Sequence, residues 1–202
     1  NTVYLASMKM FLGIITAVGV SLLINEVKLK WYKRYVQTVI YLPNFLSWII
    51  LSGIFINILS PQDGIVNNII AALGGDKIFF LGDNTWFPRI LIATDVWKNF
   101  GFGTIVYLAS ISSIDLQLYE SAEIDGANRL HKMRFITLPG MKMIIVLMMV
   151  LSLGNVLNAG FDQVFNLYSS VVLESGDILD TLVFRLGIGE AQYSIATAAG
   201  LF

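Results

Sequence analysis

The chain has 202 residues, 56% of them hydrophobic and only 13% charged, with a mean hydropathy of +0.72. That is too apolar for a water-soluble globule and points into a bilayer. Its 13 Lys and Arg nearly balance 14 Asp and Glu, so no excess of positive charge exists to hold nucleic acid in bulk. The absence of cysteine excludes a disulfide framework, a thiolate metal site and a thiol nucleophile.

A bilayer core about 30 Å thick needs about 20 apolar helical residues. Four windows of that kind occur in chain order. The first runs from about Val3 to Ile24 with Lys9 as its only charge, and the second from about Val36 to Leu59 with no charge. Pro43 removes a backbone donor inside the second and predicts a kink there. The third, from about Arg89 to Ile111, follows Pro88 at a favourable first-turn position and carries Asp95 and Lys98. The fourth runs from about Gly140 to Phe161, and a fifth begins near Tyr193. Between the second and third, Pro61-Gln62-Asp63-Gly64 signals a turn, after which Ile65, Ile69, Ile70 and Leu73 predict a short helix at the interface.

Orientation follows from Lys and Arg, because positively charged loops stay in the cytoplasm. The links after the first and third windows hold Lys28, Lys30, Lys33, Arg34, Arg129, Lys132, Arg134 and Lys142; the other two links hold only Lys77, Arg89 and Arg185. The first and third links are therefore expected inside, the second and fourth outside. Asn1 then falls outside, so an upstream helix and the remainder of the last one are expected beyond this stretch of 1–202, which reads as a single transmembrane domain.

The link 114–139 is too polar for lipid and too regular for a floppy loop. Asp115 is placed to cap a helix start; Leu116, Tyr119, Ala122 and then Ala127, Leu130, Arg134 fall at helical spacing on either side of Gly126. Gly126 permits a sharp turn or a close backbone approach, and Pro139 is expected to stop the second short helix. Taken on its residues alone, this is an amphipathic helix pair offered to a cytoplasmic protein partner.

Glu120-Ser121-Ala122, Gly126 and Ile136-Thr137-Leu138-Pro139, at these spacings, resemble the EAA loop of binding-protein-dependent ABC importer permeases, and Ile124-Asp125-Gly126-Ala127-Asn128 resembles its carbohydrate branch. Tyr41-Leu42-Pro43, Gly154-Asn155, Gly160-Phe161-Asp162 and Ala198-Ala199-Gly200-Leu201-Phe202 extend the likeness toward maltose-type and polysaccharide-type permeases. The resemblance implies an all-α polytopic bundle of the type I ABC importer (methionine-importer-like) permease fold in the cytoplasmic membrane. It also implies a second permease subunit, two cytoplasmic ATPase subunits that bind ATP and Mg, an external solute-binding protein, and a saccharide as cargo. Residues 114–139 would be the coupling helix, with Glu120, Ser121, Ala122, Asp125, Gly126, Ala127, Leu138 and Pro139 at the ATPase. Ser121 replaces the commoner Ala, and Met143 stands where a second proline is common, which predicts a less sharply bent start to the fourth helix.

None of the eight lysines follows a glycine, so the chain has no phosphate cradle of its own. Gly101-Phe102-Gly103 lacks the strand and third glycine of a dinucleotide site and is expected to allow close helix contact. His131 has no companion ligands near it in sequence and is expected to be a solvated surface residue. Candidate pathway residues are the polar and aromatic groups inside the windows. Asp95 and Lys98 share a helix face, open both to mutual pairing, with Lys98 reaching outward, and to ligand contact. Trp97 and Phe100 are open to stacking on a sugar or to packing. Asn155, Asn158 and Asp162, at i, i+3 and i+7, are expected to form one polar stripe on the fourth helix, suited to sugar hydroxyls or to interhelical hydrogen bonds.

Overall fold

The structure, a computed structural model, describes residues 1–201; the Phe202 end of the Ala198–Phe202 match lies outside the described residues. Among them the regular elements are all helical. In chain order they are α1 (Thr2–Asn25), α2 (Lys30–Phe45), α3 (Trp48–Leu59), α4 (Ile65–Ala72), α5 (Phe87–Ser112), α6 (Leu116–Ile124), α7 (Arg129–Lys132), α8 (Leu138–Gly140), α9 (Lys142–Leu153), α10 (Phe161–Leu167), α11 (Leu173–Gly176), α12 (Leu179–Phe184) and α13 (Tyr193–Gly200). Wide π-type turns occupy Met133–Thr137 and Arg185–Gly189.

Backbone contacts divide the chain into two compact units. One comprises Asn1–Lys9, Leu46–Asp95 and the chain from Asn155 onward; the other comprises Met10–Phe45 and Val96–Gly154. In the second unit Ala17, Tyr107, Ile111 and Met141 form a buried core, with Val18, Leu22, Leu108, Ile144, Ile145 and Met148 packed around it. Small residues let the backbones meet. A Cβ added to Gly103 would stand 3.3 Å from that of Ala17, and one added to Gly101 would stand 1.9 Å from the Ile40 carbonyl oxygen. The expected close helix contact at the glycine pair is present.

The helix α1 is long and apolar enough to cross a membrane, and Val3, Phe11, Ile15 and Leu23 on it are each more than half exposed. Apolar side chains left outside a packed bundle have lipid as their natural solvent.

Several windows differ from the expectation. The second is not one kinked helix: Pro43 lies within α2 and the chain breaks later, at Leu46-Ser47. Ser47 is extended and its hydroxyl accepts from the Ile50 N–H at 3.4 Å, so an N-cap starts α3 afresh. The third window is long enough as α5, about 39 Å, but with its charges it is not counted among the apolar spans. Among the described residues one helix qualifies by length and apolarity, or up to three if the pairs Lys30–Phe45 with Trp48–Leu59 and Arg129–Gly140 with Lys142–Leu153 each act as one span. The fourth window is helical only over α9, and Asn155–Gly160 is non-helical. The short helix expected after Pro61 is α4, and the fifth window begins, as expected, with α13 at Tyr193.

Candidate functional site

The segment 114–139 folds into two short helices joined at a glycine. Asp115 caps α6, its carboxylate accepting from the Gln117 N–H at 2.9 Å. Gly126 has φ +78°, in the left-handed region that glycine enters without a Cβ penalty. The Ala127 N–H then donates to the Ala122 carbonyl at 2.8 Å, closing the end of α6. Asn128 caps α7 by accepting from the His131 N–H at 2.9 Å.

Side chains brace the pair from both ends. Lys132 Nζ lies 2.6 Å from Glu123 Oε1, and the Tyr119 hydroxyl meets that of Thr137 at 2.9 Å. The hydrogen bond from Lys132, then its charge, with a smaller contribution from Lys28, holds the Glu123 carboxyl below the usual range. Glu120, Ser121, Asp125 and Gly126 are exposed, and Ala122 and Ala127 are half-buried. Ile124 is 87% exposed and Leu130 71%, an apolar display that an isolated loop in water gains nothing from. His131 is exposed, its ring stacked 6.1 Å from that of Phe135.

Pro139 does not stop the second helix. It lies within the first turn of α8, where its missing N–H costs little. The break comes at Met141, fully buried in the core, where the helical run bends by 53°. The bend forms with Met at 143. Leu138 and Pro139 are both exposed on this run.

The intramembrane charges are distributed in a way sequence spacing did not indicate. In the first unit, Lys9 is 8% exposed; its Nζ donates to the Ala159 carbonyl at 2.7 Å and to Gln163 Oε1, and lies 4.0 Å from Asp95 Oδ1. Gln163, fully buried, donates from Nε2 to the Leu91 carbonyl at 2.7 Å and to Thr94 Oγ1 at 2.8 Å. Nothing in the sequence singles out Gln163, because one uncharged amide beside Asp162 carries no signal of its own. In the second unit, Lys98 does not reach outward: it is buried and donates to the Asn44 carbonyl at 2.8 Å. Trp97 is 44% exposed and Phe100 half-buried.

Asn155, Asn158 and Asp162 do not draw a stripe on one helix. The helix ends at Leu153, Asn158 lies in the non-helical stretch, and Asp162 opens α10. The Asn158 N–H donates to the Asn155 carbonyl at 2.9 Å, and Asn158 Oδ1 accepts from the Gly160 N–H at 3.2 Å. Gly160 has φ +90°. Two glycines flanking an asparagine pair carried the signal for this break, and the apolar run around them hid it. All three polar side chains remain exposed. Among the described residues no group of three or more His, Asp or Glu side chains is arranged to hold a metal ion.

A chain of helices with an exposed apolar spanning helix and an exposed, glycine-jointed helix pair has the make-up of an integral membrane component. Residues 9–161 match the family model described as binding-protein-dependent transport system inner membrane component. The chain belongs to that family, and its fold is that of a type I ABC importer permease. It is 39% identical over all 202 residues to the polygalacturonan/rhamnogalacturonan transport system permease protein YteP and to the protein LplB, both of Bacillus subtilis (strain 168). The lactose transport system permease protein LacF of Rhizobium radiobacter is 33% identical over 168 residues, covering 82% of this chain and 55% of that protein. The chain spans 63% and 64% of the lengths of the two Bacillus relatives. Among solved structures, a chain of a bacterial alginate ABC transporter, in complex with an alginate pentasaccharide-bound periplasmic protein, superposes with a TM-score of 0.95 at 42% identity, over all of this chain and 70% of that one.

Proposed function

We propose that this chain is a transmembrane permease subunit of an ATP-driven importer that moves an oligo- or polysaccharide handed over by an external solute-binding protein. The observation that carries the reading is the 42% identity and 0.95 TM-score to the alginate transporter chain; the names of the relatives, which include polygalacturonan and rhamnogalacturonan, support the same cargo class. The chain crosses the cytoplasmic membrane several times, pairs with a second, non-identical permease subunit, and hydrolyses nothing itself. ATP and Mg are held by two cytoplasmic ATPase subunits. Their closure is transmitted through 114–139, where the exposed Ile124 and Leu130, with Glu120, Ser121, Ala122, Asp125, Gly126, Ala127, Leu138 and Pro139, form the docking side. The cavity then opens outward to accept sugar past Asn155, Asn158 and Asp162, with Asp95, Trp97, Lys98 and Phe100 as further candidates along the path.

Vesicles holding the reconstituted complex are expected to accumulate labelled oligogalacturonides or alginate oligosaccharides only with ATP inside and binding protein outside. Uptake of an amino acid or phosphate in place of any saccharide would replace the cargo, and no uptake of any solute by an assembled complex would leave a membrane scaffold. Orientation has its own test. In a chain without native cysteine, Lys30→Cys is expected to react with an impermeant maleimide only from the cytoplasmic side and Asp76→Cys only from outside. The reverse pattern would invert the topology and remove the coupling role of 114–139.

Specificity is expected to follow the broken segment. Asn155→Ala, Asn158→Ala and Asp162→Ala should each raise the half-saturating saccharide concentration by about three- to tenfold, the loss of roughly one hydrogen bond, with basal ATP hydrolysis and assembly unchanged. Variants that fail to assemble would make these groups interhelical glue.

A further inference from the structure

A buried ammonium inside a membrane helix is costly and persists only where it is paired or bonded. Lys9 is surrounded by acceptors drawn from two other parts of the chain. Its Nζ donates to the Ala159 carbonyl at 2.7 Å and to Gln163 Oε1, with Asp95 Oδ1 at 4.0 Å. Ala159 is 2% exposed, and its carbonyl belongs to the stretch Asn155–Gly160, which makes no helical ladder. Non-helical backbone in a membrane protein must find its partners within the protein or in water, and for Ala159 that partner is a side chain of α1. Gly160, next in sequence, is left-handed, and a Cβ built on it would lie 3.5 Å from Lys9 Nζ, so the backbone passes closely under the ammonium. Gln163 ties the same point to α5 through Leu91 and Thr94.

We propose that Lys9 is a positioning residue for the solute path: its ammonium holds Asn155–Gly160 in the broken conformation that displays Asn155 and Asn158. The effect on transport rests on the saccharide-permease reading, whereas the effect on the segment does not. Lys9 grips the stretch by its backbone, at the Ala159 carbonyl, and also lies 4.0 Å from the path candidate Asp95. Removing it therefore changes how the stretch is held, and the amides lose their alignment as a consequence.

The test uses the full chain in its assembled complex, with Leu157→Cys as a single reporter in the stretch and Asp76→Cys as a control in a distant loop. Lys9→Met is expected to change the maleimide reaction rate at position 157 by at least tenfold while the control rate stays within twofold. Lys9→Arg, which keeps the charge and the donors, is expected to return the rate at 157 to within about threefold of the parent. In the cysteine-free chain, Lys9→Met should raise the half-saturating saccharide concentration at least fivefold with maximal ATP hydrolysis within twofold. Because Lys9→Met leaves Asp95 near the vacated site, Lys9→Met with Asp95→Asn is the second variant, and it should show the same labelling change. A parental rate at 157 in either assembled variant overturns the proposal, as does failure of both to insert, which would make the ammonium a folding requirement alone. Labelling needs no cargo, so an altered rate in a complex that transports no saccharide would uphold the positioning role and remove the saccharide reading.

Discussion

Gly126→Val is expected to reach the membrane at near-normal abundance and to lose most binding-protein-stimulated ATP hydrolysis and transport. The structure places the reason in the backbone. Apart from its two chain neighbours, no described residue has an atom within 4 Å of where a Cβ would stand, so valine meets no packing clash there; the φ of +78° is the obstacle. A β-branched residue in that region is strained by about 1–3 kcal/mol, enough to favour a different turn between α6 and α7 without disturbing the helices elsewhere. The two helices would then present Ile124 and Leu130 at the wrong angle for the proposed docking. Glu120→Lys attacks the same surface by charge, since Glu120 is exposed on α6, and is expected to weaken docking in the same direction. Co-purified ATPase and stimulated hydrolysis in vesicles are the measurements. Full activity of Gly126→Val would remove 114–139 as the coupling element.

Gly101→Val is expected to be the most destabilising single change considered. An added Cβ would lie 1.9 Å from the Ile40 carbonyl oxygen and 2.6 Å from its carbon. These are backbone atoms of α2 and cannot swing aside as a side-chain end would. Relief requires α2 and α5 to separate, which forfeits the close packing that substitutes for hydrophobic driving force in lipid. Overpacking costs typically 1–3 kcal/mol, and the branched side chain brings two further methyls. Gly103→Ala meets only the Ala17 Cβ at 3.3 Å and should cost less, while Gly53→Ala meets nothing within 4 Å. Thermal aggregation in detergent should therefore rank Gly101→Val well below Gly103→Ala, with Gly53→Ala near the parent. Equal midpoints for Gly101→Val and Gly53→Ala would contradict the close approach.

The features legible in sequence were those set by neighbours a few residues apart. Asp115 capping α6, the left-handed turn at Gly126 and the α4 helix after Pro61-Gln62-Asp63-Gly64 are local events written in residue types that act on their own backbone. The breaks at Leu46-Ser47 and Asn155–Gly160 were concealed because hydropathy sums over a window and is blind to a few unwound residues inside it. Pro43 drew attention to the wrong place: a proline needs no break if the lost hydrogen bond is tolerated, whereas Ser47 could begin a new helix by capping it. The contact of Lys9 with Ala159 and Gln163 joins positions about 150 residues apart, and no periodicity encodes such a meeting. The same holds for the bond from Lys98 to the Asn44 carbonyl, which spans 54 residues.

The wide turn at Met133–Thr137 bears on how the helix pair tolerates changes of length. There the Leu138 N–H reaches back five residues to the Met133 carbonyl instead of four, so the turn houses one residue more than an α-helix would at that point. A π-turn of this kind is an insertion already absorbed: α7 and α8 keep their faces as though the additional residue were not counted. A chain one residue shorter between Met133 and Thr137 would close the turn to ordinary α geometry and leave the faces carrying Leu130 and Pro139 in phase, whereas the same deletion within α6 would rotate everything beyond it by about 100°. A one-residue deletion in 114–139 is thus expected to be tolerated at the wide turn after Gly126 and not within α6 before it.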